Sequence, residues 1–136
     1  MTIANYIKQA HDLYCKKEKT KIPIKIVEAG AGTGSAAESI LYYFQNFEQE
    51  DFMELEYNIV EISPSLCMHM ERKLKKSYPK MFENRKIRII NSDVSQYANK
   101  DHFYMLFFEV FDNFPHDRVT WNLKTNKFET YSTVNL

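Results

Sequence analysis

The chain is 136 residues long, with 44% hydrophobic and 26% charged residues, which suits one globular domain with room for a core. Lys plus Arg and Asp plus Glu both number 18, so no net basic field draws the chain to nucleic acid or an anionic membrane. No apolar run approaches the roughly 20 residues that span a bilayer, and Cys15 and Cys67, far apart and outside any CxxC, argue against a disulfide framework.

In chain order, Ile3, Ile7, Ala10 and Tyr14 recur at helical spacing and predict an amphipathic helix over residues 2–17. This opening stretch has no apolar h-region and no arginine, so it reads neither as a secretory signal nor as a transit peptide. Ile22 to Val27 is expected to be the first strand, with Pro23 at its start, where a missing N–H is tolerable. From Ser35, the residues Ala36, Ile40, Tyr43, Phe44 and Phe47 share one face of a helix ending near Gln49. Leu55 to Glu61 is the second strand. Ser63-Pro64 then gives an N-cap followed by a proline at the first helical position, and Leu66, Met70, Leu74 and Ser77 line the face of that helix. Lys73, Lys75 and Lys76 belong to its solvent side.

Ile87 to Ile90 is the third strand. Tyr104 to Phe108, an unbroken apolar run, suits a fourth strand buried on both faces. Val119 to Trp121 and Lys127 to Tyr131 form either a fifth strand or a hairpin across Lys124-Thr125-Asn126. Alternating strands and helices predict an α/β fold, a parallel sheet with helices on both faces. The chain reads as a single domain over residues 1–136.

The functional signal is Ile24-Lys25-Ile26-Val27-Glu28-Ala29-Gly30-Ala31-Gly32-Thr33-Gly34. An apolar run ends in an acid, then in glycines at alternate positions, then in a helical pattern. Glycine lets the backbone approach a ligand closely and adopt positive φ, and the helix start adds free N–H groups and partial positive charge. Ligands of open parallel sheets lie beyond the carboxyl ends of the strands. Those ends carry Glu28, Glu61, Asp93 and the pair Glu109 and Asp112. Glu61 is placed to accept hydrogen bonds from ribose hydroxyls.

Two nucleotide-derived cofactors fit this pattern. The frame Gly32-Thr33-Gly34-Ser35-Ala36-Ala37 is a G-x-G-x-x-A variant, which keeps a nicotinamide dinucleotide open. Glu28, however, would repel a pyrophosphate and attract the ammonium of a methionine moiety, which favours S-adenosyl-L-methionine (SAM). His11, His69 and His102 stand isolated in the sequence and read as surface or packing residues. No His, Cys or Asp set has metal-ligand spacing.

Val27 to Gly34 resembles the first motif, E/D-x-G-x-G-x-G, of class I SAM-dependent methyltransferases. The resemblance implies a Rossmann-like three-layer sandwich, truncated here on its C-terminal side. It also implies that Glu28 meets the methionine end, that Gly30, Gly32 and Gly34 shape a backbone cradle, and that Glu61 takes the ribose. Ile62 would lie against the adenine, and Asp93 would accept from its amino group.

Phe108 to Asp117 is similar to the E-x-x-D-x-x-P signature of the MidA-type methyltransferases, carried here by Glu109, Asp112 and Pro115. One branch of that family includes the mitochondrial protein-arginine methyltransferase of complex I assembly. The resemblance therefore implies a protein substrate, mitochondrial residence, and a catalytic pair, Glu109 and Asp112, that would orient a guanidinium. Two alternatives stand beside it: an NAD-dependent oxidoreductase, and an inactive methyltransferase-like binding module.

Overall fold

A computed structural model describes residues 2–108, 110, 117–122 and 124–132, with backbone alone for 117–121 and 128–132. Helix α1 (Ile3–Glu18) is capped by Thr2, whose side chain accepts from Asn5 N. Strand β1 (Lys25–Ala29) leads to α2 (Ser35–Phe47) and the short α3 (Gln49–Glu54). Next come β2 (Glu56–Glu61), α4 (Pro64–Ser77), the single-turn α5 (Pro79–Glu83) and β3 (Ile87–Asn91). A 3-10 turn (Val94–Gln96) precedes β4 (Tyr104–Phe107), and β5 (Asp117–Asn122) and β6 (Lys127–Ser132) follow.

The first four strands form one parallel sheet in the order β3-β2-β1-β4. Strand β1 starts later than predicted and runs to Ala29, because its ladder with β2 extends to Ala29↔Val60 and Gly30 N adds a bond to Val60 O. The chain builds outward from β1 through β2 to β3, then returns to place β4 on the other side of β1. That reversal creates a crevice at the carboxyl ends of β1 and β4.

In-register residues of parallel strands point to the same side. Ile26, Tyr57, Ile59, Ile87, Ile89, Tyr104 and Leu106 therefore share one face of the sheet. This face packs in one apolar cluster with Ala4 and Ile7 of α1, Ile40, Leu41 and Phe44 of α2, Met70 and Leu74 of α4, and Met81 of α5. All these helices thus cover one face, against the expectation of helices on both. Val27, Ala29 and Val60 are buried on the opposite face. The segment after β3 passes over that side: Asn58, which points there, donates from Nδ2 to Tyr97 Oη at 3.4 Å. The physical reason is the reversal, since a crossover of the same hand running the other way crosses the other face.

Central strands β1 and β2 are buried almost throughout. Strand β4 is half-buried, contrary to the reading of a strand buried on both sides, because it lies at the edge of the sheet. The choice left open for the last two strands resolves as an antiparallel hairpin forming its own two-stranded sheet, with Asn126 at φ 50° in the turn. Asn122 Oδ1 accepts from Lys124 N at 2.9 Å and stabilises that turn. Cys15 and Cys67 are free thiols.

Candidate functional site: the elbow at the carboxyl end of β1

All three glycines of the chain lie in the turn between β1 and α2, and all three have left-handed backbone, with φ of 64°, 56° and 73°. They differ in what surrounds them. A Cβ at Gly30 would stand 2.7 Å from Cγ2 of Val110, and one at Gly34 would stand 3.1 Å from Cγ of Met70. A Cβ at Gly32 would meet nothing within 4 Å among the described residues. The elbow is therefore packed at its two ends and open at its middle. Gly34 N donates to Ala31 O at 2.8 Å, which closes the turn. Gly34 is also the N-cap of α2 and supplies no side-chain cap, so the first N–H groups of this 13-residue helix keep their anion-attracting character.

Glu28 is fully buried, on the helix-covered face of β1. It stands opposite Ile59 and Leu106, one pleat short of the strand tip. Its Oε2 accepts the hydroxyl of Tyr57 at 2.7 Å. Its Oε1 has no hydrogen-bond partner among the described residues. Burial raises the carboxyl above its ordinary value, and the Tyr57 bond works against that rise. A buried carboxylate oxygen without a donor is costly, so the position suits a ligand, or a water beside one, that brings positive charge.

Glu61 ends β2 and is nearly buried, with Oε1 accepting Ser63 N at 2.9 Å. Asn91 holds this tip in place, donating to the carbonyls of Glu61 and Ile62 at 2.9 Å each. The Ile62 side chain is 68% exposed beside it, an apolar surface at the carboxyl edge. Asp93 follows β3 and caps the 3-10 turn, accepting Ser95 N on Oδ1 at 2.8 Å. That bond holds its carboxyl below the usual range. Glu109 and Asp112 lie outside the described residues, as do Pro115 and most of the signature around it. Among the described residues, no cluster of His, Cys, Asp or Glu could hold a metal ion, and no helix is long and apolar enough to cross a membrane.

The sequence reading missed two features of this region. Tyr57 is inseparable in sequence from an ordinary core aromatic; only the register that sets it beside Ile26, one pleat from Glu28, reveals its bond. His11 is a packing residue, with partners that the sequence does not show. It is buried, with Nδ1 3.2 Å from Tyr104 Oη and Nε2 3.0 Å from Ile22 O, tying α1 to β4 and to the approach of β1. His102 stacks on Tyr14, with ring centroids 4.1 Å apart.

These residues fit SAM. The open space at Gly32 admits a ligand against the backbone, the uncapped helix start suits its carboxylate, and the orphaned Glu28 oxygen suits its ammonium.

The fold agrees with that of one solved structure, described as a likely methyl transferase. A COG1565 superfamily member from Burkholderia thailandensis, bound to S-adenosyl-homocysteine, superposes with a TM-score of 0.60 at 18% identity, over 96% of this chain and 33% of that one. Coclaurine N-methyltransferase, bound to N-methylheliamine and S-adenosyl-homocysteine, aligns at 14% identity over 82% of this chain and 29% of that one, with a TM-score of 0.48. The chain thus spans about a third of the length of these two structures. No curated protein matches it by sequence. Residues 2–135 match the model of the family described as "Putative S-adenosyl-L-methionine-dependent methyltransferase", and the chain belongs to that family, whose cofactor is SAM.

Proposed function

We propose that this chain forms the cofactor-binding part of an enzyme that transfers the methyl group of SAM to a protein side chain, an arginine guanidinium before others. The observation that carries the reading is the elbow: among the described residues it is clear of atoms at Gly32, with an unpaired carboxylate oxygen buried one pleat below it. Bound SAM supplies an electrophilic methyl on a cationic sulfur. The chain's own contribution is placement and charge. Gly32 and the start of α2 take the carboxylate of the methionine end, Glu28 draws its ammonium, and Glu61 accepts from the ribose. Ile62 supports the adenine and Asp93 accepts from the amino group of the ring. Glu109 and Asp112 orient the acceptor and draw off its positive charge.

The MidA-type signature on Glu109, Asp112 and Pro115 supports both the protein substrate and, through the mitochondrial branch of that family, residence in mitochondria. Calorimetric titration with S-adenosyl-homocysteine and transfer of labelled methyl from SAM to arginine-bearing peptides test the reading. Saturable binding and label on arginine are expected; no binding at millimolar ligand overturns it. A second reading is a module that binds the cofactor without turnover. Binding without transfer to any acceptor is its signature. The dinucleotide alternative loses its ground, because the family of this chain uses SAM.

A further inference from the structure

We propose that Tyr57 is a positioning residue for the cofactor, gripping one oxygen of Glu28 so that the other is kept for the cationic end of the methionine moiety. The proposal rests on the elbow being the SAM site. Tyr57 stands opposite Ile26 in register, so its ring runs along the helix-covered face and its hydroxyl reaches the acid one pleat ahead on the neighbouring strand. The ring is fully buried among apolar residues, where phenylalanine would pack as well without a hydroxyl to satisfy. That hydroxyl has one strong partner, Glu28 Oε2 at 2.7 Å.

Ile59 and Leu106, which flank Glu28 in register, offer no donor, and Tyr57 is the titratable side chain bonded to it. Burial drives the Glu28 carboxyl toward its neutral form, and the Tyr57 bond favours the charged form. The Tyr57 hydroxyl is itself pushed well above its ordinary range, so it remains a donor throughout the working pH. The pair therefore keeps a carboxylate oriented in an apolar setting, ready for a cation.

The test is binding of S-adenosyl-homocysteine by calorimetry between pH 4.5 and 7, a window in which the amino-acid end of the ligand does not titrate. Wild type is expected to lose affinity as pH falls and Glu28 takes a proton. Tyr57→Phe keeps the ring and its apolar contacts. Losing a hydrogen bond to a charged group, it should bind about tenfold more weakly near neutrality. Its acid limb should also move to higher pH, because the bond that favoured ionisation is gone. Tyr57→Leu, which also lacks the donor, should show the same displacement.

Glu61 and Asp93 are untouched by either change, so the displacement reports on Glu28. Adding Glu28→Gln to Tyr57→Phe should cost no affinity beyond Glu28→Gln alone. An unmoved acid limb in both tyrosine variants, or losses that multiply in the double variant, overturns the proposal while leaving the cofactor site standing. Failure of the wild type to bind removes the cofactor site and this proposal together.

Discussion

Gly32→Ala separates what the elbow does for the fold from what it does for the ligand. At φ 56° an alanine pays a left-handed penalty of about 1–2 kcal/mol. The loss of chain freedom in the unfolded state returns about 0.4–1 kcal/mol. No atom of the described residues lies within 4 Å of the new methyl, so they add no packing term, and the net loss is about 1 kcal/mol. For a chain of this size that is a melting shift of about 4 °C. Gly30→Ala carries the same backbone terms plus a methyl 2.7 Å from Cγ2 of Val110, an overpacking cost of about 1–3 kcal/mol. Its melting point should fall roughly twice as far or more.

Affinity should separate the two changes by a different mechanism. The Gly32 methyl fills the space through which a ligand approaches the backbone, so S-adenosyl-homocysteine should bind at least about tenfold more weakly to a protein that remains folded, a loss of about 1.4 kcal/mol. Thermal unfolding followed by circular dichroism, with calorimetry at a temperature where both variants are folded, measures both quantities. A Gly32→Ala protein that melts a few degrees lower and binds like wild type refutes the idea that the open space is the ligand's.

Two further outcomes follow from the carboxylates. Glu61→Ala removes the proposed ribose acceptor and should weaken S-adenosyl-homocysteine by about ten- to hundredfold, with a small change in melting because the one described bond of its side chain, to Ser63 N, lies at a strand tip; an unchanged dissociation constant would sink the ribose role. Glu28 has a folded-state pKa raised by burial, so the stability it contributes is fully present below its unfolded value and is lost as pH rises through the folded one. Glu28→Gln, which cannot ionise, should therefore gain on wild type as pH rises from about 4 toward 7, in urea unfolding of the ligand-free proteins; parallel stability curves would show that Glu28 does not titrate differently on folding.

The parts of this molecule that could be read from sequence are those whose cause is local. Ser63-Pro64 marks the start of α4 to the residue, because a hydroxyl cap and a proline act within one turn. The elbow is legible because left-handed backbone needs glycine within a few positions. Helices α3 and α5 escape periodicity: they span 6 and 5 residues, and α3 buries none of its side chains. The burial of β4 depends on sheet order, since an edge strand and a central strand of the same composition read alike. The placement of Glu28, Glu61 and Asp93 at or just past the ends of β1, β2 and β3 was legible in the sequence. The depth of Glu28 was not, because only the pairing Glu28↔Ile59 shows that it sits inside the strand while Glu61 sits at a tip. The His11–Tyr104 contact joins residues 93 apart in the chain, and no local pattern encodes it.

Elsewhere in the described chain, left-handed backbone is taken by Lys19, Arg85 and Asn126, residues that sit there less comfortably than glycine would. The most pliant residue type is thus reserved for a single bend, and the hinges of the remaining scaffold are made from side chains that resist bending. Those turns and the proposed cofactor elbow are consequently made from different positions. An engineer can stiffen or relax those three outlying turns without touching the elbow, while any change of glycine falls on the elbow itself, the bed proposed for the cofactor.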